Sequence, residues 1–340
     1  MNNNQVISLN TVAQMAMKNR FPYTATIELL SICNFRCLHC YIPKHDHVGM
    51  PYAKVIDLFN QLREMGTLSL VLTGGEIFLR TDIMDIIRAA RKMGFSVSLL
   101  SNASMLNEGI IQELAELYIN SFSTTVFSLD PVINDMITNS VNSLDPLLEN
   151  ILLLRKYNIR TEVKTPLMKY NAFAYRQLIP FCEKHGLRYT PSTLIMPRSN
   201  GDKSVSALRL CDDDYAVVFN ELGDLLHGDP NLQQHFDCNA LPCPAIRNSI
   251  SINCVGDVYP CNSWFYKVGN INETALVDIW NHSEGYRYLN SLRNSDLHEC
   301  CSCDVRDYCT RCPGNALLED GDMLKCSTLD KRYALLYSRL

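Results

Sequence analysis

No apolar run in this chain approaches the roughly 18 residues that a membrane-spanning helix requires. The opening Met1-Asn-Asn-Asn-Gln-Val6 has no charged region followed by an apolar one, so it does not read as a secretory signal, and a cytoplasmic location is expected. A basic block is missing too. Lys and Arg are scattered and the formal net charge is −5, which gives no reason to expect nucleic acid or an anionic membrane as a partner. Val12, Met15, Ala16 and the run Lys18-Asn-Arg20 suggest instead a short amphipathic helix at the start.

What the chain has in excess is cysteine. Its 15 thiols are too many for ordinary core packing, and a cytosolic chain seldom ties them into structural disulfides, so metal or iron–sulfur ligation is the expected use. They are unevenly placed: Cys33, Cys37 and Cys40 lie together, and most of the others crowd between Cys238 and Cys326. Two metal-bearing regions follow. Apolar content of 47% with 20% charged residues is ordinary for a globular chain, and 340 residues favour two domains with a sizeable core.

The first group sits in Cys33-Asn-Phe-Arg-Cys37-Leu-His-Cys40, just after the apolar run Thr24-Ala-Thr-Ile-Glu-Leu-Leu30. A four-iron cube takes one thiolate per iron, and a loop leaving a strand can wrap three corners and leave the fourth iron without a protein ligand. Taken alone, the thiols are also compatible with a zinc knuckle, which needs a fourth Cys or His, or with unrelated burial.

Beyond this loop, hydrophobic periodicity alternates between helix and strand. Helices are expected at 52–65, 82–93, 107–118, 145–157, 172–185 and 213–226, and strands at 68–72, 95–100, 122–129, 161–167 and 188–196. With the strand before Cys33 this makes six β/α units, which implies a parallel sheet wrapped by helices. Eight units close a full barrel, so six suggest an open one, with chemistry on the loops at the carboxyl ends of its strands. The cysteine loop follows the first strand and Gly74-Gly75-Glu76 the second, so both fall on one rim.

The spacing Cys-x3-Cys-x2-Cys, with aromatic His39 before the last Cys and the Gly-Gly-Glu behind it, resembles the radical S-adenosylmethionine (radical SAM) family. The resemblance implies that Cys33, Cys37 and Cys40 hold a [4Fe-4S] cluster whose open iron chelates the methionine part of S-adenosylmethionine. It further implies that Gly74, Gly75 and Glu76 hold the methionine ammonium, that His39 lies near the adenine, and that Ser101, Asn102 and Ser128 approach the ribose, the carboxylate or the substrate. The glycines would let the backbone approach a ligand with no Cβ in the way. Asn102 and Asp130 could equally cap helices or make turns. Many family members have Pro where Ile77 stands, and Gly and Arg where Pro131 and Thr138 stand, so the substrate face is expected to be unusual. Further substrate candidates are Asp130, Lys164 and Arg198, whose guanidinium could clamp a carboxylate or simply be solvated. Asp212-Asp-Asp214 reads as a helix N-terminal charge cluster.

From Asp237 the composition changes. Ser249–Asn253 and Val258–Tyr259 flank a turn at Cys254-Val-Gly256-Asp257 and read as a hairpin. Eight well-spaced thiols suit two cubes of four ligands, while Cys300, Cys303, Cys309 and Cys312 alone could form a zinc ribbon. The order of these cysteines and Gly256 resembles the SPASM domain appended to many radical SAM enzymes, departing where two residues rather than three separate Cys309 from Cys312. By that resemblance one auxiliary cluster takes Cys238, Cys243, Cys261 and Cys312, and the other takes Cys300, Cys303, Cys309 and Cys326. Cys301 could replace Cys300. Cys182 is expected in the core, Cys254 at the turn, and Cys211 either inert or facing the active site to return a hydrogen atom.

The expected fold class is thus α/β, a partial (β/α)6 TIM-like barrel followed by a small cysteine-rich auxiliary-cluster domain with a β-hairpin and a C-terminal helix. The expected divisions are a helical extension at 1–21, the barrel at 22–230, the auxiliary domain at 235–326 and a helix at 327–340. The resemblance implies S-adenosylmethionine and three [4Fe-4S] clusters as cofactors, a flavodoxin- or ferredoxin-type electron donor, and a peptide substrate matured by thioether or carbon–carbon crosslinking or by oxidation. Because only 32 residues precede Cys33, either a separate leader-binding protein delivers the peptide or the substrate is recognised differently. Peptidyl epimerisation, sulfatase-type Ser or Cys oxidation and small-molecule dehydrogenation are the alternatives. From another class, the chain could be a non-catalytic zinc-binding scaffold.

Overall fold

The computed structural model describes residues 9–227 and 237–339. The first helix, α1 (Leu9–Asn19), precedes an alternation of strands and helices: β1 (Thr24–Glu28), α2 (Tyr52–Glu64), β2 (Ser69–Thr73), α3 (Ile83–Lys92), β3 (Ser96–Leu100), α4 (Glu108–Glu116) and β4 (Ser121–Thr125). Then come α5 (Pro131–Thr138), α6 (Leu144–Lys156), β5 (Thr161–Pro166), α7 (Tyr175–His185), β6 (Arg188–Ser192) and α8 (Asp212–His227). Six parallel strands in the order β6-β5-β4-β3-β2-β1 bear out the open barrel.

Each strand has two distinct faces, as a period of two requires. Ala25, Ile27, Leu70, Leu72, Val97, Leu99, Phe122 and Val163 are all 0% exposed and pack under the helices in one core. The residues between them are mostly polar and face the barrel interior: Thr26, Ser98, Ser123, Glu162, Lys164 and Thr190. In α3 the buried stripe is Ile83, Ile86, Ile87 and Ala90, the spacing of one helical face.

The helix α5 was not among those expected. Its signal is local: the Asp130 carboxylate caps Val132 N at 2.9 Å, and Pro131 stands at the first turn, where its missing N–H costs nothing. The strand expected at 122–129 accordingly stops at Thr125.

The cysteine-rich half contains α9 (Ala245–Asn248), β7 (Ser249–Ile252), β8 (Asp257–Tyr259), β9 (Gly269–Asn270), α10 (Leu276–His282), α11 (Glu284–Ser291), α12 (His298–Cys301), α13 (Pro313–Asp320) and α14 (Thr328–Tyr337). The hairpin forms as expected: Asn253 Oδ1 accepts from Val255 N at 3.1 Å and Asp257 N at 2.8 Å to close its turn. The hairpin is also joined to the barrel. Strand β7 pairs in parallel with β1, from Thr24↔Ser249 to Ile27↔Ile252, so a single sheet of nine strands runs through both halves. Ile250 and Ile252, 1% and 0% exposed, continue the core face of β1. The expected limits at 230 and 235 lie outside the described residues.

At the other edge, β6 is covered by α8 and α14, whose Tyr215 and Tyr333 rings stack at 4.7 Å. Tyr333 also donates to Thr193 O at 2.9 Å, just beyond β6. No helix among the described residues is long and apolar enough to cross a membrane.

Candidate functional site

The loop that follows β1 is pinned from three sides. Arg36 N and Leu38 N donate to Thr138 O and Ile137 O, both at 2.9 Å, tying the cysteines to the end of α5. Tyr41 donates to the buried Glu28 carboxyl at 2.6 Å, and Tyr41 O accepts from Ser199 N at 2.9 Å in the loop after β6.

Cys33, Cys37 and Cys40 come together here. Burial, and then the charges of Cys40 and Cys33, push the Cys37 thiol far up, and burial pushes that of Cys40 to about 11. Thiols so placed keep their protons until a metal ion or cluster displaces them. Polar nitrogens surround the sulfurs: Phe35 N lies 3.4 Å and Asn102 Nδ2 3.9 Å from Cys33 Sγ, both as donors, and the His45 ring nitrogen Nε2, a donor or an acceptor according to its tautomer, lies 3.6 Å from Cys40 Sγ. The His39 ring sits edge-on to Phe127 at 5.1 Å, and burial lowers its pKa to about 4. Its Nδ1 is buried and has no partner among the described residues. A neutral ring with an unused nitrogen beside three convergent thiols fits a nucleobase-bearing ligand next to a cluster.

The Gly-Gly-Glu turn is built differently from its sequence reading. A Cβ on Gly74 would lie 2.3 Å from Leu30 O, and one on Gly75 2.1 Å from Ile32 O. The glycines therefore admit the neighbouring backbone, to which Gly75 N and Glu76 N each donate at 2.9 Å, rather than a ligand. The Glu76 carboxylate is 0% exposed and accepts from Phe78 N at 2.9 Å, Ser101 Oγ at 2.8 and 2.9 Å, and Asn102 N at 2.8 Å. It stitches the loops after β2 and β3 together. Ser101 belongs to that stitch, and Asn102 reaches the cluster loop through Asn34 Oδ1 at 2.8 Å as well as Cys33.

The remaining candidates separate. Arg198 is brought to Cys40 and His45, where its charge is felt by both, and it also pairs with Asp202 at 3.3 Å. Lys164 lies in the barrel wall. Ser128 Oγ accepts from Asp130 N at 3.0 Å, and Asp130 is the exposed cap of α5. The Cys211 thiol is exposed and accepts from Asp214 N at 3.4 Å at the start of α8, while Arg332 holds the adjoining Leu210 O at 3.1 Å. Its observed contacts are those of a helix cap. Sequence reasoning missed His45 and the Glu28–Tyr41 pair, whose only signal is proximity in sequence to Cys40.

In the second half the thiols sort into two groups. Cys261 and Cys312 both act on Cys243, whose thiol burial and these neighbours raise to about 11. Cys300, Cys326 and Cys303 all act on Cys309, which burial and nearby charges raise to about 12. Cys312 thus returns to the earlier set across three residues. Asp330 faces both groups, accepting from Cys312 N at 2.8 Å while its charge is felt by Cys309, and Arg311 lies between Cys243 and Cys300. Cys301 is exposed and directs its sulfur at Asn294 O, 3.6 Å away, so Cys300 is the one turned toward the others. Cys238 is exposed, and Cys182 and Cys254 are buried. Among the described residues no three His, Cys, Asp or Glu side chains converge as a single metal ion requires.

Comparison with known proteins agrees with this geometry. A sequence model of the radical SAM superfamily matches residues 27–174, and one of the iron–sulfur cluster-binding SPASM domain matches residues 243–313. The AdoMet-dependent heme synthase of Methanosarcina barkeri is 21% identical over 338 residues, covering 92% of this chain and 96% of that protein. The PqqA peptide cyclase of Xanthomonas oryzae pv. oryzae is 25% identical over 287 residues, covering 78% of this chain and 76% of its own. Streptococcus suis SuiB, solved with its precursor peptide SuiA, superposes with a TM-score of 0.73 at 18% identity, covering 97% of this chain and 84% of SuiB, which shows a common fold. Three convergent thiols at the mouth of a six-stranded open barrel, followed by two further thiol groups, thus have a family: the chain is a radical SAM enzyme with a SPASM domain, using S-adenosylmethionine and iron–sulfur clusters.

Proposed function

We propose that this enzyme modifies a peptide, joining or oxidising side chains during its maturation. The observation that carries the reading is the convergence of Cys33, Cys37 and Cys40 at the barrel mouth in a chain that also holds two further thiol groups. When bound, the cluster and S-adenosylmethionine supply an electron and a 5′-deoxyadenosyl radical that takes hydrogen from an unactivated C–H bond.

The chain's own residues hold and shield. Cys33, Cys37 and Cys40 ligate the first cluster, and the carbonyls of Gly74 and Gly75 face the methionine ammonium. His39 offers Nδ1 to the adenine. Asn102 fixes the cluster loop from the third strand, and Arg198 closes the rim above Cys40. Two auxiliary clusters, making three in all, are held by Cys243, Cys261 and Cys312 with Cys238, and by Cys300, Cys303, Cys309 and Cys326. When bound, they would offer the substrate's second electron a destination, which net oxidation or bond formation requires. A flavodoxin- or ferredoxin-type protein supplies the first electron, and a separate protein delivers the leader.

Support for a peptide comes from the likeness to PqqA peptide cyclase and from the shared fold with SuiB. A small molecule is the second reading, favoured by the likeness to heme synthase. Epimerisation is disfavoured by Cys211, whose exposed sulfur caps α8.

The test is anaerobic incubation with S-adenosylmethionine, dithionite and the short peptide encoded beside the gene, read by mass spectrometry. A loss of two hydrogens is expected. An unchanged mass with one deuterium taken from heavy water would mean epimerisation instead. The Cys33→Ala variant is expected to form no 5′-deoxyadenosine, and if it does, the assignment of the radical-generating site fails.

A further inference from the structure

The barrel wall below the cysteine loop carries charges that radical generation does not use. Glu162 of β5 projects inward between β4 and β6, and both of its oxygens are claimed by hydroxyls: Ser123 Oγ donates to Oε2 and Thr190 Oγ1 to Oε1, each at 2.7 Å. Two cations flank it more loosely, Lys164 Nζ at 3.6 Å from Oε2 and Arg188 Nε at 3.5 Å from Oε1. Neither cation donates a hydrogen bond among the described residues.

The balance of charge decides what this wall attracts. One carboxylate faces two cations, so this part of the wall keeps an excess positive charge; the inward neighbours Thr125, Ser98 and Thr26 are neutral, and the inward Glu28 stands four strands away on β1, where Tyr41 donates to it. The carboxylate cannot swing out to neutralise either cation more fully, because two short hydroxyl bonds hold it. Lys164 and Arg188 therefore retain free N–H groups, with side chains 40% and 62% exposed, in a concave wall where charge is less screened than in bulk water.

The position is right for a substrate. Lys164 pairs with Thr125 on one side and Thr190 on the other, and its carbonyl accepts from Val126 N at 3.1 Å. The next residue, Phe127, packs against His39. Phe127, two residues beyond Lys164's partner Thr125, thus links this wall to the His39 ring beside the cluster cysteines.

We infer that this wall is a carboxylate-binding site in which Lys164 contacts an acidic side chain of the substrate, with Glu162 as the fixed counter-charge against which that side chain competes. This rests on reading the barrel as the seat of a peptide. It adds a substrate class: the residue acted on lies near an Asp or Glu.

The test reads binding without turnover, by saturation-transfer NMR on the full-length, cluster-loaded protein with glutarate as probe and neutral glutaramide as its control. Glutarate is expected to receive saturation and glutaramide not. Lys164→Met, which keeps the aliphatic stem, is expected to weaken glutarate binding about tenfold, the value of a charged hydrogen bond. Glu162→Gln keeps an acceptor and a donor for the two hydroxyls but removes the opposing charge, and is expected to bind glutarate more tightly than the unaltered protein. A merely structural role for Glu162 would move binding the other way or not at all. No transfer to glutarate, equal transfer to both probes, or a Lys164→Met variant that binds as before each overturns the site. Protein that binds glutarate yet modifies no peptide refutes the peptide reading alone, whereas peptide modification without glutarate binding refutes this site alone.

Discussion

At the scale of single residues, burial decides which polar groups serve the ligand and which serve the fold. Glu76 lies in a motif whose resemblance assigns it to S-adenosylmethionine, yet its carboxylate is 0% exposed and fully occupied by Phe78, Ser101 and Asn102. Glu76→Ala would orphan three donors at once. It is expected to destabilise the protein by about 3 kcal/mol, measured as a shift in the denaturant midpoint. A variant of normal stability that no longer binds S-adenosylmethionine would instead put the carboxylate on the ligand. His45 presents the reverse case, a residue with no motif that lies 3.6 Å from Cys40 Sγ. Hydrogen bonds to cluster sulfurs raise the reduction potential, and a thiolate in the cluster can only accept, which selects the tautomer of His45 that carries its proton on Nε2. His45→Phe is therefore expected to make the first cluster harder to reduce, seen as a more negative midpoint in a redox titration followed by electron paramagnetic resonance.

At the scale of elements, the turn after β2 and the strand β5 each carry a measurable consequence. The Cβ of an alanine at Gly75 would meet backbone oxygen at 2.1 and 2.5 Å, which no rotamer can relieve. Gly75→Ala is expected to cost about 3 kcal/mol or more and to lower iron incorporation at the neighbouring loop, checked by thermal melting and iron analysis. In β5, burial opposes the charge of Glu162, but the hydroxyls of Thr190 and Ser123 and the cations Lys164 and Arg188 more than offset it, so its carboxyl titrates below the ordinary 4.5. A depressed folded value means that the stabilisation is present above pH 4.5 and is lost as the pH falls through the folded value. Glu162→Gln is expected to flatten that acid limb of the stability curve. An unchanged limb would remove Glu162 from the account.

At the scale of the whole molecule, the two halves are one sheet. Strand β7 covers the β1 edge of the barrel, and α14 with α8 covers the β6 edge, so the auxiliary half closes what six β/α units leave open. A chain truncated after residue 242 would bare the backbone of β1 along its whole length, an invitation to edge-to-edge pairing. It is expected to aggregate on size-exclusion chromatography even though the six strands are intact. A soluble, monomeric truncation that still loads the first cluster would show the barrel to be independent of its neighbour.

Much of this was legible in the sequence because the signals are local. The alternation of periods near 2 and 3.6 marked six strands, and the spacing of Cys33, Cys37 and Cys40 marked the cluster loop, since ligands of one cube must be close in sequence when one loop supplies them. Local chemistry also existed for α5, in the pair Asp130-Pro131, where a cap and a substrate contact stood as equal readings and the structure shows the cap. Other features depend on which distant segments meet. The pairing of β7 with β1 joins residues more than 200 positions apart, and no periodicity encodes a partner. Burial of Glu76, the approach of Leu30 and Ile32 to the two glycines, and the turning of Cys300 rather than Cys301 toward Cys309 are likewise set by neighbours the sequence does not name. By itself the sequence determined what chemistry the chain carries, because the ligands come as motifs. The tertiary structure alone decided which side chains face that chemistry and which hold the loops that present it, because facing is a property of packed surfaces rather than of order along the chain.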